Sequence, residues 1–196
     1  MSIPRAGSAR LALVTLVTAV AACASPAVPT SPAGTVTVAP AAMSAATPAT
    51  LAPEGPTETA TVVRVVDGDT LVIDRGRGNE RVRYIGIDAP ESVRPDTPVE
   101  FMGSDAAVAN GALVEGREVV LELDVSEADR FGRLLRYVWL RDGDAWRLVN
   151  LELVRQGYAQ AVSFPPDVRR QDELRAAERE ARDAGHGLWG PATPLP

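Results

Sequence analysis

The chain has 196 residues, a formal net charge of −6, and a single cysteine. One cysteine excludes an intrachain disulfide, so the folded part must depend on its hydrophobic core. The acidic balance argues against tight, processive binding to nucleic acid, although all 20 basic residues are arginines.

Residues 1–22 are predicted to be a secretory signal peptide. Arg5 and Arg10 precede an uncharged apolar run over residues 11–22, which is too short to span a bilayer as a mature helix. The small residues before Cys23 resemble a bacterial lipobox, in which the cysteine becomes the lipidated first residue. An ordinary signal peptide with an incidental cysteine is the alternative. We therefore expect an exported protein, attached through Cys23 to the outer face of the membrane or released from the cell.

Residues 23–58 are almost entirely Ala, Pro, Thr, Ser, Val and Gly, and their only charges are Glu54 and Glu58. Such a segment has too little apolar surface to offset the entropy of ordering it. We predict a disordered linker over residues 23–58, a folded domain over residues 59–190 and a short tail over residues 191–196. The linker would hold the domain clear of the envelope.

Within the folded domain, β-branched runs separated by Asp-Gly and Gly-rich turns predict strands, and apolar spacing near 3.6 predicts helices. The predicted strands are 61–66, 71–73, 81–85, 119–123 and 133–140, and the predicted helices are 103–115, 148–156 and 168–183. Five short strands with a helix inserted after the third favour a small barrel over a layered parallel sheet. No internal repeat is present, so one domain is expected.

Acidic side chains follow two of these strands. Asp67 and Asp69 flank Gly68 after the first strand, and Asp88 follows the third. Taken alone, each of these runs is a turn or the start of a loop. In a small barrel, however, strand ends can meet, and a hard cation requires several oxygen ligands.

Glu91 lies three residues after Asp88 and could accept a proton from water or hold that water in line with phosphorus. The only histidine, His186, is near the end of the last helix, so a carboxylate is the expected base. Arg83 and Arg133 offer planar paired donors that match phosphate oxygens. The simpler alternatives are a solvated loop residue for Glu91 and ordinary surface residues for the two arginines.

Three runs in this order, DGDT at 67–70, RYIGIDAPE at 83–91 and DRFGR at 129–133, resemble the staphylococcal nuclease (thermonuclease) family. The resemblance extends over about residues 59–190. It implies an α+β, mainly β fold: a five-stranded OB-fold barrel with three helices. It also implies a monomeric, calcium-dependent nuclease that cuts DNA and RNA, with unpaired strands preferred, and leaves 3′-phosphate ends.

The same resemblance assigns roles to individual residues. The calcium ligands would be Asp69, Asp88 and the backbone carbonyl of Ala89, with Asp67 supporting the site through water. The residues acting on the scissile phosphate would be Arg83, Glu91 and Arg133, the last of these also near the leaving oxygen.

Two departures from the family pattern bear on substrate preference. Phe131 stands where tyrosine is common, and residues 162–166 lack the tyrosine-rich pattern that lines the nucleotide pocket in relatives. Phe164 would either stack on a base or pack under the Pro-Pro loop. Two alternatives to an enzyme stay open: an OB-fold lipoprotein that binds nucleic acid or protein without cutting, and a structural envelope lipoprotein with an unused site.

Overall fold

The computed structural model describes residues 51–92 and 98–191. The predicted signal peptide, Cys23 and most of the predicted linker lie outside this part of the chain. The strands are β1 (Thr57–Asp67), β2 (Thr70–Asp74), β3 (Asn79–Tyr84), β4 (Ile87–Asp88), β5 (Glu118–Glu122), β6 (Leu134–Asp142), β7 (Ala145–Leu148) and β8 (Gln160–Ala161). The helices are α1 (Gly103–Val114), α2 (Val149–Arg155) and α3 (Gln171–Ala184), followed by a 3₁₀ turn at Gly187–Trp189.

Five strands close into a barrel. β1 pairs antiparallel with both β2 and β5, β2 with β3, and β5 with β6. A parallel pairing of β3 with β6 completes the circle. β7 extends β6 as a hairpin outside the closed barrel. The predicted mainly β, five-stranded OB-fold barrel with three helices is therefore confirmed.

The inward-facing side chains of the barrel strands form the hydrophobic core. Leu71 and Ile73 on β2 are fully buried, as is Val82 on β3, and all three belong to the hydrophobic core. The largest buried side chain is Trp139 on β6. Helix α1 packs on β1, and α2 packs between β6 and α3. Within the described residues, no helix has both the length and the apolar character needed to cross a membrane.

All eight predicted elements are present, with ends displaced by at most four residues. The last helix begins at Gln171 instead of residue 168, because the preceding residues make other contacts. The Asp167 carboxylate accepts hydrogen bonds from the backbone of Val125 and Ser126, and the Arg170 backbone N–H donates to the Tyr137 hydroxyl. The short strands β4, β7 and β8 were not predicted.

The predicted disordered linker, 23–58, is wrong at its C-terminal end. The fully buried carboxylate of Glu122 accepts hydrogen bonds from the backbone N–H groups of Glu54 and Gly55, both at 2.8 Å. The Arg170 guanidinium donates to the Ala52 carbonyl at 2.8 Å. Burial alone would raise the pKa of Glu122, but these N–H donors, with Trp139, hold that pKa below its ordinary value. The ordered domain thus includes residues 51–58.

A fragment that starts at residue 59 is expected to be less stable than one that starts at residue 51. The shorter fragment loses the two N–H donors to the buried Glu122 carboxylate, which should lower the free energy of unfolding by about 2 to 4 kcal/mol. Urea unfolding of both fragments measures the difference. Glu54→Ala in the longer fragment keeps the backbone donors and should cost less than about 1 kcal/mol. Equal midpoints for the two fragments would contradict the assignment.

Candidate active site

A polar cleft of about 240 Å³ opens at one end of the barrel. It gathers residues from four separate segments of the chain. Its lining consists of Asp67, Asp69, Arg83, Asp88, Ala89, Glu91, Glu100 and Arg133. The structure therefore brings together every residue that the sequence predicted for metal binding and catalysis, and it adds Glu100.

The turn between β1 and β2 reaches the Asp88 loop because residue 68 is a glycine. A Cβ atom at Gly68 would lie 2.5 Å from the Cβ of Ala89 and 2.8 Å from the Cβ of Ala106. This close approach lets the Ala89 backbone N–H donate to the Asp69 carboxylate at 2.8 Å. The Asp67 carboxylate in turn accepts the Asp69 backbone N–H at 3.0 Å.

Helix α1 holds this turn through a buried amide. The Asn110 side chain donates to the Asp67 carbonyl at 3.1 Å and accepts the Tyr84 hydroxyl hydrogen bond at 2.9 Å. Sequence reasoning missed Asn110. The available signal was an asparagine inside an otherwise Ala-rich helix, at a position spaced for burial.

Asp88 is placed by the small second sheet. β4 pairs antiparallel with β8, with Asp88 opposite Gln160, and the Val162 N–H donates to the Gly86 carbonyl at 2.9 Å. The Asp88 side chain is 62% exposed and faces the cleft mouth, whereas the Asp69 side chain is 8% exposed. One predicted ligand is therefore buried and the other open to solvent.

Arg83 connects these two carboxylates. Its neighbours Val82 and Tyr84 point into the core, so the alternation of β3 turns Arg83 outward. One terminal nitrogen contacts the Asp69 carboxylate, and the other donates to the Asp88 carboxylate at 2.7 Å. Arg83 is consequently fixed at the centre of the acidic cluster.

Burial has the largest effect on the Asp69 carboxyl group. Burial is the main cause that raises the pKa of Asp69, to about 7; Arg83 acts in the opposite direction and Asp67 adds to the rise. A carboxyl group in this condition gains from an additional positive charge nearby.

The donor set fits a hard cation that keeps water among its ligands. Carboxylates of Asp69 and Asp88 and the carbonyl of Ala89 are the oxygen ligands that calcium prefers. In the described part of the chain, no group of three or more His, Cys, Asp or Glu side chains is gathered closely enough to hold a metal by itself. Two carboxylates and one carbonyl would thus need water, and Arg83 would have to yield its hold on them.

Glu91 is held by a reciprocal backbone contact with the segment before α1. The Glu91 N–H donates to the Glu100 carboxylate at 3.0 Å, and the Glu100 N–H donates to the Glu91 carbonyl at 2.9 Å. Gly103 permits this approach, because a Cβ atom there would lie 2.5 Å from the Glu91 carbonyl oxygen. The contact of this segment with Glu91 was not predicted from the sequence.

Arg133 reaches the cleft from the loop before β6, and Asp129 orients it. The Asp129 carboxylate accepts the Arg133 Nε–H at 2.7 Å and the backbone N–H groups of Phe131 and Arg133 at 2.8 and 3.0 Å. Burial alone would raise the pKa of Asp129, but these contacts hold that pKa below its ordinary value. Sequence reasoning quoted Asp129 within its run and assigned it no role.

The comparisons with known proteins agree with this geometry. Residues 81–191 match a family model described as "Staphylococcal nuclease homologue". The chain belongs to the staphylococcal nuclease family. It is 38% identical over 132 residues to the thermonuclease of Staphylococcus intermedius, an alignment covering 67% of this chain and 76% of the relative. The thermonuclease of Staphylococcus hyicus is 35% identical over the same coverage. Endonuclease YncB of Bacillus subtilis is 34% identical over 131 residues, covering 66% of this chain and 60% of the relative.

A larger cavity of about 520 Å³ adjoins the polar cleft in this family member, and Arg83 and Arg133 line both. Its other walls include two exposed aromatic rings, Phe131 and Phe164. The Arg130 guanidinium lies 4.7 Å from the centroid of the Phe131 ring. Phe164 is 63% exposed, so it is not buried under the Pro-Pro loop.

His186 lines neither cavity. It follows helix α3, where its Nδ1 lies 3.3 Å from the Arg155 carbonyl oxygen. Apart from Arg83 and Arg133, the titratable side chains that line the polar cleft are carboxylates.

Proposed function

We propose that this family member is a calcium-dependent nuclease that hydrolyses phosphodiester bonds of DNA and RNA and leaves 3′-phosphate ends. The observation that carries the proposal is the convergence of Arg83, Glu91 and Arg133 beside Asp69 and Asp88 in one cleft. Relatives that share at least a third of their aligned residues with the chain are named thermonuclease or endonuclease. We propose that the protein acts as a monomer.

Each step of the reaction has a group in the cleft. Glu91 accepts a proton from the attacking water as the water oxygen forms its bond to phosphorus. The bond from phosphorus to the 5′ oxygen then breaks, Arg133 donates a hydrogen bond to that leaving oxygen, and the oxygen takes up a proton from solvent. Arg83 stabilises the negative charge that develops on the non-bridging oxygens. Calcium, when held by Asp69, Asp88 and the Ala89 carbonyl, would supply further positive charge at the phosphate.

Unpaired strands are the preferred substrate in this proposal. A base adjoining the scissile phosphate would enter the 520 Å³ cavity. Phe131 and Phe164 offer faces on which a base can stack, and stacking accepts every base because each has a π face. A base held in a duplex must first unstack to occupy this position, so single strands should be cut faster than duplexes.

Digestion of labelled single-stranded and duplex DNA tests the proposal. We expect acid-soluble nucleotides in the presence of calcium, loss of their release with a chelator, and recovery when excess calcium is added. Asp69→Asn should lower the affinity for calcium, whereas Asp142→Asn, an exposed substitution outside the cleft, should not. Cleavage that persists in the presence of chelator would refute the proposed dependence on calcium. Binding of oligonucleotide without any cleavage would support the non-catalytic alternative.

Export and lipid anchoring through Cys23 form part of the same proposal. Cys23 lies outside the described residues, so its support is the short apolar run and the small residues before it. Cys23→Ser is expected to move the protein from the detergent phase to the aqueous phase of a cell-envelope extract. Identical partitioning of the two proteins would identify an ordinary cleaved signal.

A further inference from the structure

The outer face of the β1–β2–β3 sheet begins at the catalytic cleft and carries two additional arginines. Arg81 lies two residues before Arg83 on β3, and both point away from the core because Val82 between them is fully buried. Residues two apart on a strand lie about 6.6 Å from each other on the same face. This spacing is comparable to the step between successive phosphates of an extended single strand.

The strand register places Arg64 on the same face, two strands across the sheet from Arg81. Arg81 lies opposite Val72 on β2, and Val72 lies opposite Arg64 on β1, where a bulge at Val63 interrupts the pairing. Val72 points away from the core residues on either side of it, and it is outside the hydrophobic core cluster, yet only 5% of it is exposed. Its cross-strand neighbours on that outer face are Arg64 and Arg81, whose long aliphatic stems can cover an apolar side chain.

Neither arginine is neutralised by a partner. Among the described residues, most arginines form ion pairs, as Arg136 does with Glu58 and Arg75 does with Glu80. The side chains of Arg64 and Arg81, in contrast, form no ion pair and no hydrogen bond within the described part of the chain. The nearest carboxylate along β2 is Asp74, which accepts the backbone N–H of Gly76. In a chain with a net charge of −6, two unpaired cations beside the cleft leave a local surface that attracts anions.

We infer that Arg81 and Arg64 bind phosphates of a single-stranded polynucleotide beyond the scissile phosphate, and so extend the substrate-binding surface from the cleft across the outer face of β1–β3. The occupant follows from charge and position: a flexible chain of phosphodiesters would follow β3 from Arg83 to Arg81 and then turn across β2 to Arg64. The inference rests on the proposed function for the position of the scissile phosphate at Arg83. It also explains how an acidic protein would hold a polyanion, because the cationic contacts are concentrated on one face.

Arg64→Gln/Arg81→Gln in the full chain tests this inference. Arg175→Gln/Arg179→Gln is the matched control, because it removes two exposed positive charges of α3 that, like Arg64 and Arg81, form no ion pair within the described residues. We expect the first variant to lower kcat/KM for a 12-nucleotide oligothymidylate by about tenfold and to leave hydrolysis of a dinucleotide unchanged. In a Glu91→Gln background, where cleavage is blocked, the slope of log Kd against log salt should fall by about 1.4, because each single-strand phosphate contact contributes about 0.7.

The outcomes separate this inference from the proposed function. Cleavage by the wild type, with equal losses in the test and control variants, would overturn the inference and leave the nuclease proposal intact. Absence of cleavage by the wild type, with weaker 12-nucleotide binding only in the Arg64→Gln/Arg81→Gln variant, would support the binding surface and refute the nuclease. A loss that is equal for the 12-nucleotide substrate and the dinucleotide would mean that the arginines act on the cleft itself, which also overturns the inference.

Discussion

Replacing Glu91 by glutamine is expected to lower kcat for single-stranded DNA by about 10²- to 10⁴-fold, the range typical of a lost general base. Glutamine keeps the size of the side chain and the backbone hydrogen bond to Glu100 but cannot accept a proton. The loss should therefore fall on kcat, with KM and the melting temperature nearly unchanged. Single-turnover cleavage at saturating calcium measures the chemical step directly.

Two other glutamates control the experiment. Glu115→Gln changes an exposed residue at the end of α1 and should leave kcat unaffected. Glu100→Gln changes the second glutamate of the cleft, and it retains an oxygen that can accept the Glu91 N–H hydrogen bond. We expect Glu100→Gln to lower kcat moderately. If Glu100→Gln impaired cleavage as much as Glu91→Gln, the assignment of the base to Glu91 would be wrong.

The meeting of these side chains in one cleft could be predicted because they stand on an alternating strand or beside a turn. At such positions the sequence pattern determines which way a side chain points. Arg83 precedes the inward Tyr84 on an alternating strand, so its outward direction follows from the pattern. The glycine between Asp67 and Asp69 indicated a turn, which the structure confirms as the connection of β1 to β2. The local pattern could not show why a glycine is needed there. The reason is the close contact of Gly68 with Ala89 and Ala106, which come from distant segments of the chain.

The missed features all depend on long-range contacts. β4 and β8 have two residues each, too short for any periodicity, and they exist because the Asp88 loop meets the chain near Gln160. The order of residues 51–58 was missed because composition alone describes them as a linker. A buried glutamate 68 residues away, Glu122, accepts the N–H hydrogen bond of Glu54 and draws the segment into the fold. A tertiary partner here overrides local composition.

The acidic character of the chain is reconciled with a phosphate-binding role by the distribution of its ion pairs. Carboxylates of Glu58, Glu122 and Glu127 pair with Arg136 or Arg170 away from the cleft, so these two arginines are not available to a phosphate. The net charge of −6 is a sum over the whole chain, whereas the field at the site depends on the unpaired arginines near it. Ion pairs of this kind add little stability where they are exposed. Their consequence here is that only the arginines outside such pairs stay available to bind phosphate.

Arg133→Gln is expected to lower kcat/KM for single-stranded DNA by about 10²- to 10³-fold, because a fixed cationic donor to the developing charge contributes about 3 kcal/mol or more to transition-state stabilisation. Asp129→Asn should produce a smaller loss by the same route. Asparagine can still accept one backbone N–H of the turn, but it loses the charge that holds the Arg133 Nε–H at 2.7 Å.

A double-mutant cycle distinguishes this positioning role from simple loss of stability. If Asp129 acts through Arg133, the double variant should be no slower than Arg133→Gln alone, and the two losses will not add. Asp142→Asn, which removes a carboxylate paired with Arg117 and Arg147 on the exposed β6–β7 hairpin, serves as the control and should leave kcat/KM unchanged. Additive losses, or losses that follow the melting temperature, would show that Asp129 supports the loop without directing the guanidinium. The non-additive result would place the Asp129 carboxylate behind the arginine as the group that aims it at the phosphate.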